Sequence, residues 1–254
     1  KRNCRFCNSH LNKIFIDLGT SPLANSYVKE EQISNEKSFP LCVYICENCL
    51  LVQLEEIESP KNIFSEYAYF SSYSDSWLKH AKNYVENIIS KFPIDKNSLV
   101  IEIASNDGYL LQYFQEKKIP ILGIEPAENV AKKAIEKNIP TMTKFFNSKI
   151  ANQLSQDKKL ADLIVGNNVL AHVPDLNDFI KGIKIILKPK GIITLEFPHL
   201  LQLIKFNQFD TIYHEHFSYF SLISLEKIFL FHKLRIFDVE EISTHGGSLR
   251  IYVT

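Results

Sequence analysis

Two groups of residues offer the most chemistry, one near each end of the chain. Cys4-Arg-Phe-Cys7 and Cys46-Glu-Asn-Cys49 are two C-x2-C knuckles. Each places two thiolates on one tight turn, and two such turns complete a tetrahedral S4 zinc site. The alternatives are a disulfide pair or reduced core thiols, and a C-x2-C spacing suits a structural disulfide poorly. Four thiolates leave no coordination position open. A zinc ion on Cys4, Cys7, Cys46 and Cys49 is therefore expected to be structural and remote from any reaction. Cys42, outside the pattern, reads as a small buried hydrophobe.

The second group is Tyr213-His-Glu-His216, set in the aromatic stretch Phe209–Phe217. Groups that titrate or hydrogen-bond near neutral pH, packed among aromatics, suit proton transfer. On an extended segment Glu215 faces away from His214 and His216, whereas on a bent loop Tyr213, Glu215 and His216 converge. A His-Glu-His metal site and a satisfied structural network are the competing readings. The concentration of such residues beyond a cofactor crevice favours catalysis.

That crevice is expected at Leu99–Leu111, LVIEIASNDGYLL, where an apolar run ends in an acid, passes a small polar turn and starts a helix. A buried strand feeding such a turn brings strand C-termini and helix N–H groups together. Around it strands and helices alternate: Leu99–Ala104, helix 108–117, Ile121–Ile124, helix 128–137, Thr141–Thr143 and a helix near 147–155. Strand 161–166, helix 176–187 and strand 191–196 follow. The alternation predicts a doubly wound parallel α/β sheet. Leu234–Val239 and Leu249–Val253, joined at Thr244-His-Gly-Gly247 with no helix between, predict an antiparallel closing hairpin. Ile14–Leu18 and Pro40–Ile45 read as short strands and residues 18–27 as an irregular loop. Tyr67, Tyr69, Phe70 and Tyr73 form an aromatic cluster, read as a joining core or, for at least one tyrosine, as facing a ligand. Domains are expected at 1–65, around the zinc, and 66–254, around the crevice.

The bulk properties are those of an ordinary globular chain. Of 254 residues, 45% are hydrophobic and 23% charged, and the 29 basic and 29 acidic residues cancel. Neutrality argues against a nucleic acid polymer as partner, and the lack of a long apolar run argues against a membrane one. With no leader-like start, the chain reads as cytoplasmic.

A hairpin-closed parallel sheet with Glu102 ending its first strand and Glu125 its second resembles the class I S-adenosylmethionine-dependent methyltransferases, which are Rossmann-like with seven strands. The turn Ala104-Ser-Asn-Asp-Gly108 lacks the G-x-G-x-x-G spacing that seats a pyrophosphate, a loss that a phosphate-free cofactor tolerates and NAD does not. Ala104 stands where that family usually has Gly, which narrows the approach of a cofactor. The resemblance implies S-adenosylmethionine held by Glu102, Ala104, Ser105, Asn106, Gly108, Glu125, Pro126, Phe146, Asn167 and Asn168.

More specifically, Cys4-x2-Cys7, Leu18-Gly-Thr-Ser-Pro-Leu-Ala-Asn, Cys46-x2-Cys49-Leu-Leu-Val-Gln, the Glu102 turn, Tyr213-His-Glu-His216 and His245-Gly-Gly-Ser-Leu-Arg250 resemble, in order, the zinc-containing sugar C-methyltransferases. That resemblance implies methylation at C3 of a nucleotide-linked 4-keto deoxysugar, dTDP-linked. It makes His216 the general base, with Tyr213, Glu215, His172 and Tyr67 in the same pocket. Members carry a further C-terminal α/β domain, and the chain's end at Thr254 implies that this domain is missing here. An O- or N-methyltransferase of another small metabolite, a non-catalytic cofactor-binding remnant and a zinc-ribbon nucleic-acid binder are the alternatives.

Overall fold

The structure, a computed structural model, describes residues 2–25, 27–57 and 69–254. Near the N-terminus β1 (Lys13–Pro22), β2 (Ser38–Ile45) and β3 (Val52–Leu54) form an antiparallel ladder. The sequence suggests a loop from Leu18 onward, yet β1 runs on to Pro22. Register shifts against β2 and a left-handed Gly19 (φ 77°) absorb the irregular residues, so pairing continues beyond them. A fourth strand, β9 (Ser218–Tyr219), pairs with β3 and carries the chain just beyond His216 into this small sheet. Leu41 and Val43 on one face of β2 pack with Leu203 and Ile212, while Tyr44 faces the side of Cys46 and Leu51.

Helix α1 (Asp75–Lys91) starts where the Ser74 side chain accepts a hydrogen bond from the Trp77 amide. Its Trp77, Ala81, Tyr84, Val85 and Ile88 lie at helical spacing and are all buried. Beyond it, β4 (Val100–Ile103), β5 (Ile121–Ile124), β6 (Thr141–Met142), β7 (Ala161–Asn167) and β8 (Leu187–Pro198) are parallel. The hairpin β10 (Ile236–Ile242) and β11 (Ser248–Val253) adds antiparallel to β8. Among the described residues the order β10-β11-β8-β7-β4-β5-β6 makes seven strands, the hairpin-closed sheet expected from the sequence.

Both faces of the sheet are covered, which is why its central strands are rich in apolar residues on both sides. Val100, Leu163 and Val165 pack with α1 and α2 (Leu111–Glu116), and Ala134 of α3 (Glu128–Glu136) joins them. Ile101, Ile103 and Ile164 turn the other way, toward α4 (Ser148–Gln156), α5 (Leu176–Ile186) and α6 (Leu222–Phe231).

A buried ion pair locks the hairpin. Arg250 on β11 stands opposite Glu196 on β8, and its Nη2 donates to Glu196 Oε2 at 2.8 Å while Nη1 donates to Glu240 at 2.8 Å. His80 of α1 lies 2.9 Å from the same Glu196 oxygen, and the Thr244 hydroxyl donates to the other at 3.1 Å. Burial alone pushes Glu196 up, but His80 and Arg250 outweigh it and hold the carboxyl below its ordinary range. Removing one partner strands a buried charge, so Arg250→Met is expected to cost about 3–5 kcal/mol. Urea denaturation measures this, and a loss no larger than the surface range of about 0.5 kcal/mol would contradict it.

Candidate active site

The chain leaves β4 where its neighbours are β5 on one side and β7 on the other, the switch point of the sheet. The turn places Ala104 (φ 60°), Asn106 (φ 49°) and Gly108 (φ 78°) in the left-handed region in alternation. The Ala104 conformation costs about 1–2 kcal/mol in an L-residue, whereas Asn tolerates it and here uses its side chain. Asn106 Oδ1 accepts from the Ser71 and Asp107 amides, each at 2.9 Å, and Nδ2 donates to the Tyr69 carbonyl at 3.1 Å. Asp107 accepts from the Ser72 amide and hydroxyl. Residues 69–72 are thereby strapped across the turn. Gly108 takes a φ that L-residues rarely adopt, and a Cβ there would press on the Ile139 side chain.

Above the turn opens a cleft of about 290 Å³. Of the residues the sequence assigns to a cofactor, Ala104, Asn106, Glu125, Pro126, Phe146, Asn167 and Asn168 line it. Glu102, Ser105 and Gly108 are not in its wall; Glu102 and Ser105 are fully buried. Tyr67 lies outside the described residues. Trp77, Tyr109 and His245 also line the cleft and are not assigned to a site by the sequence, because they come from a helix start, a turn and a hairpin tip far apart in the chain. Tyr69 lines it too, while Phe70 and Tyr73 stack on each other with Tyr73 exposed, so this part of the aromatic cluster is not a joining core.

The cleft carries acceptors in excess of donors. Glu125 Oε2 accepts from the Asn106 amide and Oε1 from the Ala127 amide, each at 2.9 Å, and burial pushes its carboxyl up to about 6. The Oδ1 atoms of Asn167 and Asn168 are buried without hydrogen-bond partners among the described residues, while the Glu102 carboxyl beneath interacts with the Tyr109 hydroxyl. Burial first, with Glu125 and Asp107 added, outweighs the opposing Tyr109 hydroxyl and drives Glu102 well above the carboxylate range. Orphaned acceptors beside a buried carboxylate fit a ligand that brings an ammonium and hydroxyl donors, as S-adenosylmethionine does.

Facing these acceptors are two imidazoles. His216 Nδ1 lies 2.9 Å from the Thr211 carbonyl, which can only accept, so Nδ1 carries the proton and Nε2 the lone pair. The Tyr213 hydroxyl, 3.0 Å away, therefore donates to Nε2. His172 Nδ1 donates to the Glu215 carbonyl at 2.9 Å, and the two imidazole centroids are 4.8 Å apart. Burial, followed by His172 and His245, brings His216 down to about 3, and burial brings His172 to about 4. Burial and Glu215 push Tyr213 up to about 12. The loop is bent, and Tyr213, His172 and His216 meet in the cleft. The Glu215 carboxylate instead accepts from Asn25 at 2.8 Å and is not in the cleft wall. His214 turns away and donates to the Pro40 carbonyl. The metal reading of this loop gains nothing: among the described residues the only ligand cluster is elsewhere.

That cluster is Cys4, Cys7, Cys46 and Cys49, whose Sγ atoms lie within 4.8 Å of one another, all as free thiols. Tetrahedral Zn–S bonds of about 2.3 Å would space thiolates by about 3.8 Å, so the set fits zinc. Gln53 Nε2 donates to Cys4 Sγ at 3.2 Å, a donor of the kind that supports a thiolate ligand. Cys42 is half-buried and apart.

Residues 77–233 match the family described as "Methyltransferase domain". The chain belongs to this methyltransferase family. Residues 4–64 match the family described as "Putative zinc binding domain". The chain is 34% identical over 250 residues to the C-methyltransferase NovU of Streptomyces niveus, an alignment that takes in 98% of this chain and 60% of NovU. The chain thus spans less than two thirds of that relative. The PH0226 protein of Pyrococcus horikoshii OT3 superposes with a TM-score of 0.58 at 16% identity, covering 78% of this chain and 99% of that one. Magnesium protoporphyrin IX methyltransferase of Synechocystis PCC 6803, solved with bound S-adenosylhomocysteine, gives 0.53 at 16% identity over 69% and 82%. At such identities the likeness is one of fold. No helix among the described residues is long and apolar enough to cross a membrane.

The neutral imidazoles have a consequence for stability. Between pH 6.5 and about 4 the unfolded chain protonates His172 and His216 while the folded one does not, so the contribution of these two groups to stability falls as pH drops through that window. The raised carboxyls of Glu102 and Glu125 act with the opposite sign, which is why the histidine contribution is read as a difference between variants. Thermal midpoints of wild type and His216→Asn across pH 7 to 4 are expected to converge on acidification. A constant difference between them would contradict a neutral buried His216.

Proposed function

We propose that the protein is an S-adenosylmethionine-dependent C-methyltransferase acting at C3 of a nucleotide-linked 4-keto deoxysugar, with dTDP as the carrier. The observation that carries the reading is the fixed tautomer of His216, whose Nε2 lone pair accepts from the Tyr213 hydroxyl in the cleft wall opposite the acceptor-rich cofactor edge. The C-methyltransferase activity of NovU supports it. A carbon nucleophile needs an acidified C–H, and a neighbouring keto group supplies the acidity.

When bound, S-adenosylmethionine supplies an electrophilic methyl group on a sulfonium, already an excellent leaving group. Glu125 would take its ribose hydroxyls and Asn167 and Asn168 its ammonium end. His216 Nε2 accepts the C3 proton, and the C–H electron pair passes into the enolate. As the proton arrives, the Tyr213 hydroxyl loses its acceptor on Nε2 and is free to donate to the forming enolate oxygen, with His172 beside it. His216 is a weak base in the free cleft, and the developing enolate charge beside it raises its proton affinity. A positioned base contributes about 10²–10⁴-fold. Residues 1–65 supply the zinc-bound part and 66–254 the cofactor-bound part of this unit.

His216→Asn is expected to lower kcat by at least about 10²-fold while leaving S-adenosylmethionine affinity unchanged by calorimetry. In wild type, the acid limb of kcat/KM should lie well below pH 6.5, because the base must be unprotonated and its pKa is depressed. Product mapping on a 4-keto sugar nucleotide tests the substrate. Methyl transfer to oxygen or nitrogen, or wild-type turnover in His216→Asn, would overturn the reading.

A further inference from the structure

The zinc knuckle touches both catalytic segments through one side chain. Arg5 lies between Cys4 and Cys7, and its guanidinium forks: Nη1 donates to the Pro174 carbonyl at 2.9 Å and Nη2 donates to the Leu54 carbonyl. Its Cζ sits 5.3 Å from the centroid of the Phe217 ring. Pro174 ends the turn that carries His172, and Phe217 directly follows His216. The two segments are bonded to each other and to the small sheet, since the Phe217 amide donates to Ala171 at 2.8 Å and the Leu54 amide donates to Phe217 at 3.0 Å. On the metal side, the Arg5 amide donates to Gln53 Oε1 at 2.9 Å, and the same Gln53 amide group reaches Cys4 Sγ. The neighbouring Phe6 carbonyl accepts from Asn177 at 2.8 Å, fixing the start of α5 to the knuckle.

We infer that Arg5 is a positioning residue, through which the zinc knuckle sets the separation of His172 and His216. A planar, forked guanidinium can hold two carbonyls and lie over a ring at once; a lysine ammonium has no plane to stack and no fixed fork. One charge-assisted bond to Pro174, a second to Leu54, whose own amide is bonded to Phe217, and the stacking on the Phe217 ring let one rigid group brace the 171–174 and 213–217 segments beyond what their backbone bond supplies alone. The zinc then does more than fold the N-terminal part. It holds the anchor of the catalytic wall without contacting any reactant. Displacements of about 1 Å between groups that act together cost about 10²-fold in rate, so a loosened anchor should be visible in turnover.

This inference rests on the reading of His216 and His172 as working groups, and its test is built to separate the two. Arg5→Lys and Arg5→Ala would be compared with Arg2→Ala, a change at the exposed arginine beside the knuckle that pairs with Glu55. Zinc content, S-adenosylmethionine affinity, kcat and KM per zinc-loaded molecule, and hydrogen–deuterium exchange of residues 171–174 and 213–217 would be measured in the full-length protein. Arg5→Lys is expected to keep zinc and cofactor affinity, to lower kcat about 10- to 100-fold, and to speed exchange in both segments. Arg2→Ala should change none of these. Should Arg5→Ala fail to fold, Arg5→Lys alone decides. Unchanged exchange in the two segments with zinc retained overturns the inference, as does an unchanged kcat. Faster exchange in a protein whose wild type does not methylate a keto sugar would uphold the anchor and overturn the proposed reaction.

Discussion

The Asn106 amide donates to Glu125 across the gap between β4 and β5, and this bond ties the cofactor turn to the neighbouring strand end where the sheet changes direction. The cleft follows from it. With Glu125 fixed, one carboxylate faces the opening with lone pairs to spare, and the left-handed alternation of Ala104, Asn106 and Gly108 keeps the backbone low beneath it. The Asn106 side chain then faces upward and holds residues 69–72 as part of the rim. A turn with one glycine thus achieves what a glycine-rich turn does. It stores strain at Ala104 and recovers some of it through hydrogen bonds that glycine could not make.

The opposite wall is built from parts of three origins. His172 comes from the turn after β7, Tyr213 and His216 from the bent loop before β9, and His245 from the hairpin tip braced by the Glu196–Arg250 pair. Backbone carbonyls orient the first two imidazoles and so choose their tautomers. Their low proton affinity comes from burial, to which His172 and His245 add for His216. The small sheet is continuous with this wall, because β9 pairs with β3 and the knuckle cysteines share a core with the sheet helices.

Much of this was legible in the residues. Two-sided burial makes the central strands rich in apolar residues, so the parallel strands and their order of appearance could be read, as could the hairpin with no helix between its strands. The cysteine knuckles were legible because two thiol pairs at this spacing suit a tetrahedral metal ion and little else. The bend of the 209–217 loop was not. It depends on the Thr211 carbonyl meeting His216, and on His214, the same residue type two positions away, finding Pro40 instead. Nor could Trp77 and His245 be paired, since their edge-to-face contact at 5.1 Å is made by the fold alone. The extent of β1 was missed because a bulge beside Gly19 looks like a loop when only local propensity is considered.

The proposed proton removal at carbon can be watched apart from methyl transfer. In deuterated water with S-adenosylhomocysteine in place of the methyl donor, a 4-keto deoxysugar nucleotide should exchange its C3 hydrogen in the presence of the wild-type protein and not with His216→Asn, followed by NMR. Exchange that survives the loss of His216 would contradict the assignment of this imidazole as the base.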